Sequence, residues 1–503
     1  MPSGGMPSDE LPASVDVVVV GAGTAGAVVA GRLVERGDRS VLVVEAGPDY
    51  GSSGSGRWPA DLLDAATLPP SHDWGYVGPG AGGRPLDLAR ARVVGGCSTH
   101  NGCSQSVGWA GDYDGWAVAG LTGWSAAELG RHLAAASERM RITRYSDEQV
   151  QPLQQAFMEA SIGLGLPRRA DLDDVQGGAG VDVTPVNIVD GLRWNAAFGY
   201  LDPVRESPLL TVLPDSPVVR VLLRGRRVVG VELLRQGRLH TVACAQVVLA
   251  AGTYGTPEVL LRSGVGAGDE LGRLGVAVHA NLPGVGQNLH DHPTVALEFD
   301  ASAELVTRLD GFRTATGWLP EEQCIAKVAS SDGPYDLHIF PWVEPRADSP
   351  DGWVVVLPVG LLSPRSRGSL RLDPHDPLAP SVPDHRYLAD PLDVTALADG
   401  LSVLSDLAAS PELAPLLGRR RESREPDESA QAWVSRTHSH YWHPAGTAAM
   451  GLDPATAVTG PTGRVHGVSG LTVADASLFP SVPRSTPAWP VVALGELVSA
   501  GIA

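Results

Sequence analysis

Residues 15–46 constrain this chain more than any other stretch. Val-Asp-Val-Val-Val-Val runs into Gly21-Ala-Gly-Thr-Ala-Gly26, a small-residue segment follows to Arg36, and Ser40-Val-Leu-Val-Val-Glu-Ala closes the unit. An unbroken β-branched run is a strand buried on both faces, as in a parallel sheet, because a half-solvated strand would alternate with polar residues. The helical pattern Thr24–Arg36 that follows the glycine turn supplies the crossover to a second parallel strand. The spacing therefore predicts a β-α-β unit whose Gly21, Gly23 and Gly26 let backbone approach a pyrophosphate at the helix N-terminus. Glu45, ending the second strand, stands where a carboxylate receives ribose hydroxyls. This speaks for an adenosine dinucleotide without choosing between NAD and FAD, and a glycine turn without a ligand is the plain alternative.

The remaining strand-like pieces are scattered: Leu209 to Leu213, Val218 to Leu223, Val229 to Leu234, Val247 to Ala250 and Leu471 to Ala474. They imply one sheet assembled from distant segments. At 503 residues the chain exceeds one ordinary core, so two interleaved lobes are expected. From about Thr294 to Arg436 the pattern changes to β-branched and aromatic runs (Leu337 to Val343, Trp353 to Val359, Ser369 to Leu372) followed by a helix, Asp393 to Ser410. The expected class is thus α/β (α+β): a Rossmann-like lobe with a second lobe built on an antiparallel sheet with helices. Gly51 to Gly56 reads as a surface loop, and no internal repeat is present.

A formal net charge of −19 argues against a nucleic-acid partner, which needs a basic surface. The four cysteines (Cys97, Cys103, Cys244, Cys324) form no paired framework and fit reduced thiols in a cytoplasmic protein. Residues 1–14 lack the basic start and apolar run of a secretory signal, and no apolar run approaches the roughly 20 residues that span a bilayer.

Six further motifs choose the cofactor. Arg92-Val-Val-Gly-Gly-Cys-Ser-Thr-His-Asn-Gly102 and Gly252-Thr-Tyr-Gly-Thr-Pro-Glu-Val-Leu-Leu-Arg-Ser-Gly-Val-Gly266 resemble the two signatures of the glucose-methanol-choline (GMC) family of FAD-dependent oxidoreductases. Leu282 to His292, Ser363 to Gly368, His443-Pro-Ala-Gly-Thr447 and Val473 to Ser477 resemble further landmarks in family order, with choline oxidase-like and bacterial sugar oxidase-like branches nearest. The resemblance, spanning Val15 to Glu496, implies an FAD-binding domain at 10–293 with substrate-lobe insertions around 115–195. It also implies a substrate-binding domain at 294–436 and a return to the FAD-binding domain at 437–503.

It further implies that Gly21, Gly23, Gly26 and Glu45 hold the ADP part of FAD. Val218 would meet adenine through its backbone, Gly95, Gly96 and Asn101 would lie along the flavin, and Asp475 and Ala476 would face the pyrophosphate and flavin. His100 stands in the Gly-Gly-Cys-Ser-x-His-Asn element that, in the choline oxidase branch, carries a histidine bonded to the flavin. An 8α-histidyl FAD is expected, the alternative being a histidine that only packs near the ring. His443 opens the element resembling the catalytic-base segment. It would take the hydroxyl proton while hydride leaves the same carbon for flavin N5; a buried structural histidine is its alternative. His438, His440 and His443 invite a metal reading, but no matched carboxylate or cysteine accompanies them, and no metal is expected. His290 and His292 read as structural loop residues.

The chain departs from the family at Ala488, eight positions before Glu496, where an Asn or His normally fixes the substrate oxygen. Thr486, Ser485, His440 and Gln323 are candidate replacements. Gln323 and Lys327, with Trp109, Trp342 and Trp442, suggest a sugar, glycoside or similar polyol as substrate, and Lys327 argues against a cation such as choline. Oxygen or another acceptor would reoxidise the flavin. A redox-neutral FAD-containing lyase, a choline-type alcohol oxidase and an inactive flavin-binding scaffold stand as the competing readings.

Overall fold

A computed structural model describes residues 11–502 except 171, 332, 377, 423 and 426. The expectation of no secretory signal and the first residue of the expected 10–293 domain fall wholly or largely outside these. The strand Val17–Val20, buried along its length, pairs in parallel with Val41–Val44 on one side and Gln246–Leu249 on the other. Leu210–Leu213 and Leu471–Val473 complete a five-stranded parallel sheet drawn from both ends of the chain. The helix Thr24–Arg36 covers it, and the helix Ala488–Gly501 packs on that helix, where Gly495 leaves room for Val28. An ion pair fastens the contact: Arg32 donates to both oxygens of Glu496 at 2.8 and 2.7 Å, and the Tyr200 hydroxyl donates to the same carboxylate at 2.7 Å.

Two strand expectations are corrected. Val218–Arg224 and Arg227–Arg235 do not join the parallel sheet but form a separate antiparallel three-stranded sheet with Arg238–Ala243. Their short Gly-containing connection closes a hairpin, which a parallel pairing cannot use. Residues 369–372 make no strand; only isolated bridges such as Ser369 with Asp384 occur there.

The second sheet has eight strands in its ladder network, running through Leu417–Arg420, Pro293–Ala301, Trp353–Leu361, Leu337–Ile339, Cys324–Val328 and Gly180–Val183, with Trp342–Pro345 and Ser439–His440 paired at its sides. Side chains alternate across it. Cys324, Ala326, Val328, Leu337, Ile339, Leu357 and Val359 pack under the helix Pro391–Ala408 and Trp433. Ile325, Phe340 and Leu362 pack instead with Tyr335 and Tyr441, two residues before His443. The sheet thereby presents one face to the segment that carries His443.

Candidate active site

At the first helix, the cap residue Gly23 offers no side-chain hydrogen bond and the first turn carries no acidic residue, so its N–H groups face outward without an internal acceptor. Gly96 lies against them: a Cβ there would sit 2.5 Å from the Gly23 Cα, so only glycine lets the two backbones approach. Gly95 and Gly96 both have positive φ, and Gly95 N–H donates to the Ala22 carbonyl at 2.8 Å. Glu45 accepts from Ala22 N–H and Gly47 N–H, each at 2.8 Å, and burial pushes its pKa up to about 7 against those bonds. Asp475 accepts from Gly252 N–H at 2.9 Å, the Thr256 hydroxyl at 2.5 Å and Ser477 N–H at 2.9 Å, tying the last strand to the 252–262 helix. Ala476 opens the turn that follows, and Gly446 N–H reaches its carbonyl. Val218 begins an edge strand of the three-stranded sheet.

These residues fit FAD. An uncapped helix N-terminus suits a pyrophosphate. Buried polar atoms without partners, Asn195 Nδ2 beside Gly95 and the Ser477 hydroxyl after Asp475, await a polar ligand. The sequence pattern missed Arg193: fully buried, it donates to the carbonyls of Asn101, Asp61, Leu62 and Thr67 and clamps the loop that holds Asn101. His100 follows the Gly96–Thr99 turn, its Nε2 on the Ser71 carbonyl, and burial lowers its pKa so that the ring is neutral.

His443 is held by its backbone. Its N–H donates to Asp291 Oδ1 at 2.8 Å, while the Tyr387 hydroxyl donates to Oδ2 at 3.1 Å. Its ring Nδ1 lies 3.0 Å from Nδ1 of His292, the rings nearly perpendicular at 89°, and Tyr441 packs alongside with centroids 4.2 Å apart. Burial, then His292 and Arg90, hold the His443 pKa well below the ordinary histidine range. His292, read from the sequence as a structural loop residue, meets His443 through this contact, and burial pushes its pKa down to about 3. His290 is structural, its Nδ1 on the Asn288 carbonyl at 2.6 Å and its Nε2 accepting from Val482 N–H at 2.8 Å. His438 and His440 turn away from His443, accepting from Ala81 N–H at 2.8 Å and meeting the Asp87 carbonyl at 2.7 Å respectively.

The candidates for the missing partner separate cleanly. Ala488 starts the last helix with only a methyl group. Gln323 is consumed, accepting from Gln151 N–H and donating to the Gln149 carbonyl, both at 2.7 Å. His440 is consumed on both nitrogens, with Trp442 N–H on its Nδ1. Ser485 and Thr486 are buried with hydroxyls that have no partner among the described residues. Their segment runs beside the 288–292 loop, since Asn288 donates to the Pro480 carbonyl at 3.0 Å and Val482 to His290.

The residues expected to stack a sugar are engaged elsewhere. Trp342 stacks on Phe340 and donates to Glu344 at 3.1 Å, Arg484 covers the Trp109 ring at 4.8 Å, and Trp442 points outward, 38% exposed. Lys327 donates to the Leu172 carbonyl at 2.6 Å and lies over Tyr335.

The family description GMC oxidoreductase matches residues 15–294 and again 364–495. The chain belongs to the GMC oxidoreductase family. It is 31% identical to the oxygen-dependent choline dehydrogenase of Paraburkholderia xenovorans, covering 96% of this chain and 93% of that protein. It is 30% identical to the choline oxidase of Arthrobacter globiformis over the same shares. Pyridoxine 4-oxidase from Mesorbium loti superposes with a TM-score of 0.84 at 28% identity, covering 97% of this chain and 98% of that one. This GMC oxidoreductase is an FAD-dependent enzyme acting on CH–OH donors. Among the described residues no helix is long and apolar enough to cross a membrane, and no group of three or more His, Cys, Asp or Glu is placed to hold a metal ion.

Proposed function

We propose that this GMC oxidoreductase oxidises a hydroxyl of a sugar, glycoside or similar polyol, with His443 as the base. The observation that carries this is the buried His292–His443 contact beside a wall of polar atoms unpartnered among the described residues, the Tyr441 hydroxyl and both His338 nitrogens, with the buried Ser485 and Thr486 hydroxyls in the segment next to the 288–292 loop. Such a wall is costly unless a polar ligand satisfies it, at about 1–3 kcal/mol per group. FAD, when bound, supplies the hydride acceptor. Asp291 fixes the His443 backbone, and the Leu362 carbonyl favours a proton on the His292 ring. That places the His292 proton on Nε2, makes His292 Nδ1 the acceptor, and leaves His443 with a proton on Nδ1 and a lone pair on Nε2. His443 Nε2 takes the substrate proton, and Ser485 and Thr486 hold the substrate oxygen in place of the absent Asn or His at Ala488. Oxygen or another small acceptor completes the cycle, and a cytoplasmic setting accords with four free cysteines. The division into 10–293, 294–436 and 437–503 belongs to this reading, as do the FAD contacts of Gly21, Gly23, Gly26, Glu45, Gly95, Gly96, Asn101, Val218, Asp475 and Ala476.

Anaerobic mixing with a panel of polyols, glycosides and simple alcohols tests it. Bleaching of the flavin by a polyol is expected; turnover with the flavin still oxidised would instead identify the lyase reading. A choline-type substrate is the second reading, favoured by Glu322. That carboxylate is pushed up to about 7 by burial, accepts only the Ser104 hydroxyl at 2.7 Å, and forms no ion pair among the described residues. Choline as the sole bleaching agent would establish it.

His100 is proposed to bond the flavin 8α carbon, which would release a proton from the methyl and one from the imidazole and leave the electron pair on the flavin, to be removed by the oxygen or other acceptor that reoxidises it; a neutral, partly buried imidazole is the nucleophilic form and its Nδ1 carries no hydrogen bond among the described residues. Acid precipitation of the purified protein is expected to leave the yellow colour in the pellet, and His100→Asn to release it to the supernatant. Complete release from the unaltered protein would show that His100 only packs near the ring.

A further inference from the structure

His338 is fully buried, and neither Nδ1 nor Nε2 has a hydrogen-bond partner among the described residues. Buried polar side chains are nearly always paired, so a ring with two orphaned nitrogens in a close-packed interior marks a place where a ligand or water belongs. Its surroundings say where it points. His338 lies on the Leu337–Ile339 strand, opposite Lys327 on one side and Gly360 on the other. Strand alternation sends Leu337 and Ile339 into the core under the 391–408 helix and His338 to the opposite face. There it stacks on Tyr335 at 12° with centroids 6.1 Å apart and meets Tyr441 edge-on at 6.4 Å. Tyr441 in turn contacts both His443 and His292. Gly360 makes the approach feasible, since a Cβ there would sit 2.9 Å from the Tyr441 ring. One wall of rings thus runs from His338 through Tyr441 to the His292–His443 pair.

We infer that His338 recognises a second hydroxyl of the substrate, apart from the one oxidised at His443. The inference rests on the proposed alcohol oxidation at His443 and deepens it. A neutral imidazole offers one N–H donor and one lone-pair acceptor, the complement of a hydroxyl that both donates and accepts, or of two neighbouring hydroxyls. Burial, with Lys327 and His292 nearby, holds the ring in that neutral form. A monohydric alcohol or a quaternary ammonium alcohol has no group to satisfy it. The substrate class is therefore a polyol, with the reacting carbon and a second hydroxyl-bearing carbon spanning the distance between the two histidines.

The test uses the FAD-loaded protein and methyl glycosides and linear polyols, each beside its monodeoxy analogue. Anaerobic flavin bleaching gives kcat/KM for each, and the visible flavin spectrum reports binding without reaction. The hydroxylated member of at least one pair is expected to exceed its deoxy analogue by about 100-fold or more, since a site built to hydrogen-bond a hydroxyl rejects the analogue that lacks it. In His338→Leu that ratio should fall to within about tenfold, and His338→Gln, whose amide keeps a donor and an acceptor, should recover part of it. Without substrate, His338→Leu should melt no lower than the unaltered protein, because an orphaned imidazole contributes no hydrogen bond to lose. A purely structural histidine would lower the melting temperature and leave the ratio intact. Discrimination that is absent, or that survives His338→Leu, overturns the inference, as does a panel that neither bleaches nor perturbs the flavin. A spectral change dependent on His338 without bleaching would uphold the recognition and sink the alcohol oxidation instead.

Discussion

His443→Ala is expected to retain FAD and to lose about 100- to 10,000-fold in the rate of anaerobic flavin bleaching, the range general base catalysis supplies. FAD should stay because the His443 side chain touches Tyr441 and His292 and none of the residues proposed to hold FAD. The loss should fall on kcat more than on KM, since proton removal matters only in the transition state. The pH profile gives a second reading. A histidine whose pKa is depressed is neutral, and so able to accept a proton, at every pH above that depressed value; burial, His292 and Arg90 all push His443 in this direction. The acid limb of kcat/KM should therefore lie below the unperturbed histidine value of about 6.5, and it should vanish in His443→Ala. Full bleaching activity in the alanine variant would remove His443 from the chemistry and leave the alcohol oxidation to another base.

Much of the fold was legible because local chemistry and tertiary demand agree there. The valine run at 17–20, the helix 24–36 and the second strand need only the β-branched pattern and the glycines, and the structure forms them at those residues. The helix expected at 393–410 forms at Pro391–Ala408, its Asp390 cap accepting from Leu392 N–H. What failed was membership. The runs at 218–223 and 229–234 are strands, but alternation reports one buried face and says nothing about which sheet receives it. The 369–372 run alternates like a strand but makes only isolated contacts, Ser369 with Asp384 and Leu370 N–H with the Gly286 carbonyl, and no continuous ladder.

The site was legible in its motifs and opaque in its contacts. His292 and His443 are 151 positions apart and meet only through the fold. Both are followed by proline in segments whose local pattern suits a loop, so His292 carried no signal of its partner. Gln323 and His440 looked equal to Ser485 and Thr486 as hydrogen-bonding side chains. Only an account of every donor and acceptor distinguishes a glutamine spent on the 149–151 backbone from hydroxyls that are buried and unspent. Arg193 could have been suspected from one feature, a lone arginine beside Trp194 and Asn195 in an otherwise apolar stretch, but its four carbonyl acceptors are contributed by distant turns.

Gly26→Ala is expected to yield a protein that folds poorly and purifies largely without flavin, whereas Gly37→Ala in the same helix's cap should retain its cofactor. The two glycines serve opposite physical purposes. Gly26 has an ordinary helical backbone, but a Cβ there would fall 2.0 Å from the Gly21 carbonyl oxygen and 3.1 Å from the Ala250 Cβ. The first obstacle is backbone, so no rotamer relieves it, and the helix must lift from the sheet and from the turn it caps. Overpacking of this kind costs about 1–3 kcal/mol in stability. Lifting the helix also withdraws its N-terminal amides, worth up to about 2 kcal/mol to a bound anion, or about 30-fold in FAD affinity. Gly37 has φ +74° and nothing within 4 Å of its would-be Cβ, so alanine there meets only the left-handed penalty of about 1–2 kcal/mol. The ratio of flavin absorbance to protein absorbance after gel filtration, with melting temperatures for both variants, separates the cases. Equal flavin loss in the two would mean that cofactor retention tracks general stability rather than the approach of the first helix to the glycine turn.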